Sequence, residues 1–121
     1  MTTDIYLTDR EADVMQVLWD HGPSVVNEVK EKLHDELAYT TVLTILRTLE
    51  QKGYVKHEKD KRAHVYLPLM DRKDATRFEV RHLVSRFFGN SNEQLVLNVL
   101  EETSIDAEEL DRLRQLLDRS K

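Results

Sequence analysis

Residues 38–70 read AYTTVLTILRTLEQKGYVKHEKDKRAHVYLPLM, and this stretch decides the fold. Val42, Ile45, Leu46 and Leu49 recur at i, i+3, i+4 and i+7, which predicts a helix with one narrow buried face. Thr40 is placed to cap its start and Gly53 to end it. The opposite face carries Thr41, Leu43, Thr44, Arg47, Thr48 and Gln51. Apart from Leu43, whose exposure there is unexpected, those are uncharged polar groups with one Arg, not the Glu/Lys mixture of a merely solvated helix. Val55, Val65, Tyr66 and Leu67 favour strand. The run Lys59, Asp60, Lys61 and Arg62 reads as a charged turn between two short strands, and Pro68 closes the second. His57 and His64 can face each other across this hairpin, but two His without a third ligand are poor grounds for a metal site.

Upstream, Thr8 and Glu11 have the spacing of a capping box. Ala12, Met15, Leu18 and Trp19 form an apolar stripe, and Gly22 and Pro23 stop the helix. A second helix is expected from about Val26 to Glu36, with Val26, Val29, Leu33 and Leu37 turned inward. Downstream, a helix is expected from about Lys73 to Phe88, with Ala75, Phe78, His82, Leu83 and Phe87 on one side, broken by Gly89 and Asn90. Ser91 with Gln94, and Asp106 with Glu109, are two more capping boxes. The first opens a helix bearing Leu95, Val96, Leu97, Val99 and Leu100. The second opens one with Leu110, Leu113, Leu116 and Leu117 on one face, where Ile105 and Leu110 have the spacing of a hydrophobic staple.

Composition agrees with a helical chain: three Gly and two Pro in 121 residues leave few punctuation points. With no Cys, a disulfide scaffold and a thiolate metal site are both excluded. No apolar run approaches the roughly 20 residues of a membrane span. Met1 to Arg10 lack the basic and apolar regions of a secretory signal, so a cytoplasmic protein is expected. No Ser-His-Asp or paired-carboxylate pattern and no Gly-rich loop stand out, so no enzyme activity is expected, and no cofactor.

The formal charge of -5 argues at first against nucleic acid. Its distribution argues the other way. Residues 1–37 hold 3 basic and 9 acidic side chains, residues 71–121 hold 9 and 11, and residues 38–70 hold 6 and 3. The only positive segment is thus the third helix with its hairpin. Three helices followed by a hairpin is the order of a winged helix-turn-helix, in which the third helix enters the major groove and the hairpin lies along the backbone. Phosphate contact needs charge at that place, not over the whole chain. The fold expected is mainly α with a small β-hairpin: a winged-helix DNA-binding domain over residues 1–70 and a three-helix dimerisation domain over 71–121. A winged-helix protein-interaction module without DNA binding is the alternative.

On this reading, Tyr39, Thr40, Thr41, Thr44, Arg47 and Thr48 on the helix, and Lys59, Lys61 and Arg62 on the hairpin, are the candidate DNA contacts. Arg can bond guanine bidentately, and Thr offers a hydroxyl to bases or a methyl to thymine. The Lys and Arg of the hairpin suit phosphates. Leu95, Val96, Val99, Leu100, Leu110, Leu113, Leu116 and Leu117 are the candidate dimer contacts, because a piece of about 50 residues has too little core to stand alone.

The segments LTDREADVMQVLW, GPSVVNEV, LAYTTVLTILRTLEQKGYV and KRAHVYLPL, continuing into FFGNSNEQLVLNVLEE, resemble the penicillinase repressor (BlaI/MecI/CopY) family of transcriptional regulators over nearly the whole chain. The resemblance implies a homodimeric winged-helix repressor that binds double-stranded operator DNA through its N-terminal domain and dimerises through its C-terminal helices. It also implies inactivation by cleavage between an Asn and a Phe in the C-terminal domain, after a membrane sensor protease detects a β-lactam. Asn98 matches that Asn, but Val99 stands where the family has Phe. A related branch senses copper through C-terminal cysteines, which this chain lacks.

Overall fold

The computed structural model describes residues 5–102 and 104–120, so Met1 to Asp4, part of the leader reading above, lie outside it. The first helix, α1 (Asp9–His21), begins as its sequence dictates. Thr8 Oγ1 accepts from the Glu11 amide at 3.2 Å, and Glu11 Oε1 accepts from the Thr8 amide at 2.9 Å. Gly22, at φ +79°, closes it. The buried face is Glu11, Val14, Met15, Val17 and Leu18, whereas Ala12 and Trp19 of the expected stripe are half-buried.

Two short elements follow. Strand β1 (Ser24–Val25) was not foreseen, since two residues carry no periodicity. Helix α2 (Val26–Lys32) stops at Leu33, whose ψ of 143° is extended, and does not reach Glu36. Electrostatics accounts for the early stop: Asp35 and Glu36 in a last turn would face the negative end of the helix dipole. Asp35 instead bonds Arg10 at 2.7 Å. Leu33 and Leu37 still pack on the core from the loop.

Helix α3 (Tyr39–Gln51) is capped by the backbone of Ala38, not by Thr40, which lies inside the first turn. Val42, Leu46 and Leu49 are fully buried, and Ile45 is half-buried at the edge of the core. The helix ends in a Schellman motif: the Gly53 amide donates to Glu50 O and the Tyr54 amide to Leu49 O, both at 3.0 Å, with Gly53 at φ +85°. Strands β2 (Val55–Asp60) and β3 (Ala63–Pro68) form the hairpin, and β1 adds to β3 to give an antiparallel sheet of order β1-β3-β2. The turn is only Lys61–Arg62; Lys59 and Asp60 belong to β2, paired with His64 and Ala63. Val55 and Tyr66 from the sheet complete the core of α1, α2 and α3.

The chain divides into compact units Met1–Glu79 and Val80–Lys121, so the division falls within helix α4 (Arg72–Phe87) instead of at 70/71. The start of α4 is held to α1. The Trp19 Nε1–H donates to Met70 O at 2.8 Å, Arg72 bonds Asp20, and the Arg72 guanidinium lies 5.5 Å from the centre of the Trp19 ring. The second unit holds α5 (Asn92–Glu102), with Ser91 Oγ accepting from the Gln94 amide at 3.2 Å. It also holds α6 (Ala107–Arg119), opened by the complete Asp106–Glu109 capping box. Neither α5 nor α6 has a buried residue. Among the described residues no helix is long and apolar enough to cross a membrane.

Candidate nucleic-acid interface

The buried stripe of α3 turns the opposite side outward. Thr40, Thr41, Thr44 and Arg47 are exposed, Tyr39 is 45% exposed, and Thr48 is half-buried. Two hydroxyls are already committed: Thr44 Oγ1 donates to Thr40 O and Thr48 Oγ1 to Thr44 O, each at 2.9 Å. With their protons bonded to backbone, these hydroxyls keep only acceptor capacity, and the methyls remain for apolar contact. Arg47 is therefore the strongest donor that the middle of this face presents.

The wing brings Arg62 to the same side. A cleft of about 340 Å³ separates α3 from the hairpin, with Tyr39, Leu43 and Arg47 on one wall and Arg62, Ala63 and His64 on the other. Val25, Val26 and Asn27 close its end. Arg47 and Arg62, fifteen positions apart in sequence, thus line one groove. Leu43, unexplained as an exposed residue, packs partly on the core and forms part of this groove. Lys59, Lys61 and Arg62 are all exposed, and Lys61 sits at φ +59°, a left-handed conformation unusual for a side chain with a Cβ.

Sequence reasoning missed the groups that hold this surface in place. Glu50, in the last turn of α3, accepts from the His57 amide at 3.1 Å and lies 2.7 Å from His57 Nδ1. The His57 ring stacks on His64, 4.3 Å between centroids and 16° between planes. Tyr66 lies tilted against His57 at 5.5 Å. Burial pushes the Tyr66 hydroxyl above its ordinary range, and the Glu50 charge adds to this while Arg47 opposes it. At the end of the helix, Lys52 Nζ bonds Glu11 Oε1 at 2.7 Å. Burial raises the Glu11 carboxyl, but the hydrogen bonds from Lys52 and Thr8 and the Lys52 charge outweigh it and hold the group below its ordinary range. Only the Thr8–Glu11 half of that arrangement had a local signal.

The candidate dimer contacts lie on α5 and α6. Val96, Val99, Leu100, Leu110, Leu113, Leu116 and Leu117 are 38–64% exposed in the single chain, Leu95 is half-buried, and Leu97, left out of the expected set, is 41% exposed. Val99, Ile105, Leu113 and Leu116 line a groove of about 520 Å³ within this unit. Asn98 and Val99 are both exposed and both lie inside α5. Among the described residues no three His, Asp or Glu side chains converge to hold a metal ion.

The chain is similar to known repressors over most of its length. It is 32% identical over 117 residues to the penicillinase repressor of Bacillus licheniformis, covering 95% of this chain and 91% of that one. It is 35% identical over 115 residues to the transcriptional regulator BlaI of Mycobacterium tuberculosis, covering 92% and 82%. The solution structure of monomeric Bacillus licheniformis BlaI in complex with the blaP half-operator superimposes with a TM-score of 0.52 at 34% identity, over 61% of this chain and 93% of that one. The family model for the penicillinase repressor matches residues 7–119. The chain belongs to the penicillinase repressor family, winged-helix transcriptional repressors and not enzymes.

Proposed function

We propose that the protein represses transcription by binding a pseudo-palindromic operator as a homodimer, each subunit laying α3 in one major groove with its wing along the adjacent backbone. The observation that carries the reading is the placement of Arg47 from α3 and Arg62 from the wing in one groove, in the only positive segment of an acidic chain. The half-operator complex of a relative 34% identical to this chain supports it. Arg47 reads bases, Tyr39, Thr40, Thr41, Thr44 and Thr48 line the helix contact, and Lys59, Lys61 and Arg62 bind phosphates.

The exposed apolar faces of α5 and α6 supply the dimer contact, since so much clustered apolar surface in a single chain marks an interaction site. A two-fold dimer imposes two half-sites. The protein acts in the cytoplasm, where its operator lies. Relief by a membrane sensor protease at Asn98–Val99 requires the middle of α5 to open first, because proteolysis acts on transiently opened segments. Footprinting on the DNA upstream of its own gene tests the reading. Two protected half-sites related by a dyad, about one or two helical turns apart, are the expected result. Absence of any protection would leave the protein-interaction module as the better account, and uniform protection without a boundary would contradict operator-specific binding.

A further inference from the structure

Beside the shared core, Glu50 ties the edge of the wing to α3. Strand β2 lies at the edge of the sheet, so half of its backbone amides have no strand partner. Glu50 reaches out from α3 and takes one of them, the His57 amide, together with the His57 ring Nδ1 at 2.7 Å. A carboxylate only accepts, so Nδ1 carries the proton and Nε2 of the neutral ring holds a lone pair. The α3-facing side of the wing reads Val55, His57 and Lys59 on β2 against Pro68, Tyr66 and His64 on β3. His57 therefore meets Glu50 from α3 and Tyr66 and His64 from β3; the charges near it are Arg47, which acts on the neighbouring Tyr66, and Lys59, two residues along its own strand.

We propose that His57 is a proton-linked positioning residue: held by Glu50, it sets the wing against the recognition helix, and its protonation tightens DNA binding. The proposal rests on the DNA-binding reading above. Imidazole is the side chain whose charge changes between about pH 5 and 8. A proton added at Nε2 turns the Glu50 hydrogen bond, already charge-assisted by the carboxylate, into an ion pair, which strengthens the clamp. It also adds a positive charge to a surface that faces phosphates, so DNA binding and proton uptake favour each other. The stacked His64 ring limits the uptake, because two cationic rings 4.3 Å apart repel. About one proton per wing is the expected stoichiometry.

The test measures DNA affinity of the full chain between pH 8 and pH 6 at fixed salt, on the DNA upstream of its own gene, beside ring nitrogen chemical shifts of His57 in the free protein. Wild type should gain about three- to tenfold in affinity on acidification, as expected for one added charge near the backbone. His57→Phe should bind more weakly at pH 8 and lose most of the gain. His57→Asn, whose amide can still donate to Glu50, should recover pH 8 affinity relative to His57→Phe while remaining insensitive to pH. His34→Gln, away from the wing, should keep the full gain. Circular dichroism melting confirms that each variant is folded at the assay temperature. A full pH gain in His57→Asn, or an Nε2–H tautomer for the neutral ring, overturns the proposal. If the wild type binds no DNA at any pH, the operator reading fails, and the nitrogen shifts alone decide the clamp.

Discussion

Lys52, the residue that caps the recognition helix, bonds the buried carboxylate of Glu11 in the first turn of α1 at 2.7 Å, and the same carboxylate caps the Thr8 amide. One side chain thus fixes the start of α1 and the end of α3 together. Glu11→Gln keeps the shape but removes the charge, and should cost about 1.5–3 kcal/mol, the range for a hydrogen bond to a charged group. The sign with pH follows from the lowered Glu11 carboxyl. The stabilisation is present above the ordinary value of 4.5 and is lost as pH falls through the lowered folded value. Urea melts of wild type and variant should differ at pH 7 and converge in strong acid.

Arg47 and Lys61 should fail differently. Arg47→Ala should cost about 1–3 kcal/mol on the specific site and relax base choice at one position. Lys61→Ala should weaken specific and random DNA alike and reduce the salt slope by about 1. Competition binding with single-base operator variants separates the two. Equal losses for specific and random DNA in both variants would contradict the assignment of roles.

Lys61 combines a left-handed backbone with a charge proposed to bind phosphate, so stability and binding should move in opposite directions there. At φ +59° a Cβ costs about 1–2 kcal/mol. Lys61→Gly should raise the melting temperature while lowering DNA affinity. A variant that loses stability would show that the turn does not store that strain.

Leu113→Asp places a charge on the exposed apolar face of α6 and should convert dimers to monomers in sedimentation. The circular dichroism of α1, α2 and α3 should survive, since none of their core lies on α6. An unchanged dimer places the interface elsewhere.

What the sequence exposed and what it hid divide along the range of the interactions. α3 was legible because Val42, Leu46, Leu49 and Gly53 are local signals, and the hairpin because the strand formers Val55, Val65, Tyr66 and Leu67 lie on either side of a charged run. The expected Thr40 cap lies two residues too late, because Ala38 takes the cap position with no side-chain bond. β1 exists only because β3 pairs with it, and α2 ends early because Asp35 is drawn to Arg10. Glu50–His57 and Arg47–Arg62 are products of the tertiary fold, so no spacing rule could announce them. The charge split marks the side proposed to face DNA without any of these contacts.

The most direct test of the central claim is a salt series on the DNA upstream of the gene, read by fluorescence anisotropy. A surface built from Lys59, Lys61, Arg62 and Arg47 on each of two subunits should give an affinity that falls steeply and linearly in log–log form, losing about 0.9 in slope for every phosphate neutralised. Sequence-specific binding with that steep slope is the predicted result. Absence of binding even at low salt, or binding indifferent to salt, would contradict the account.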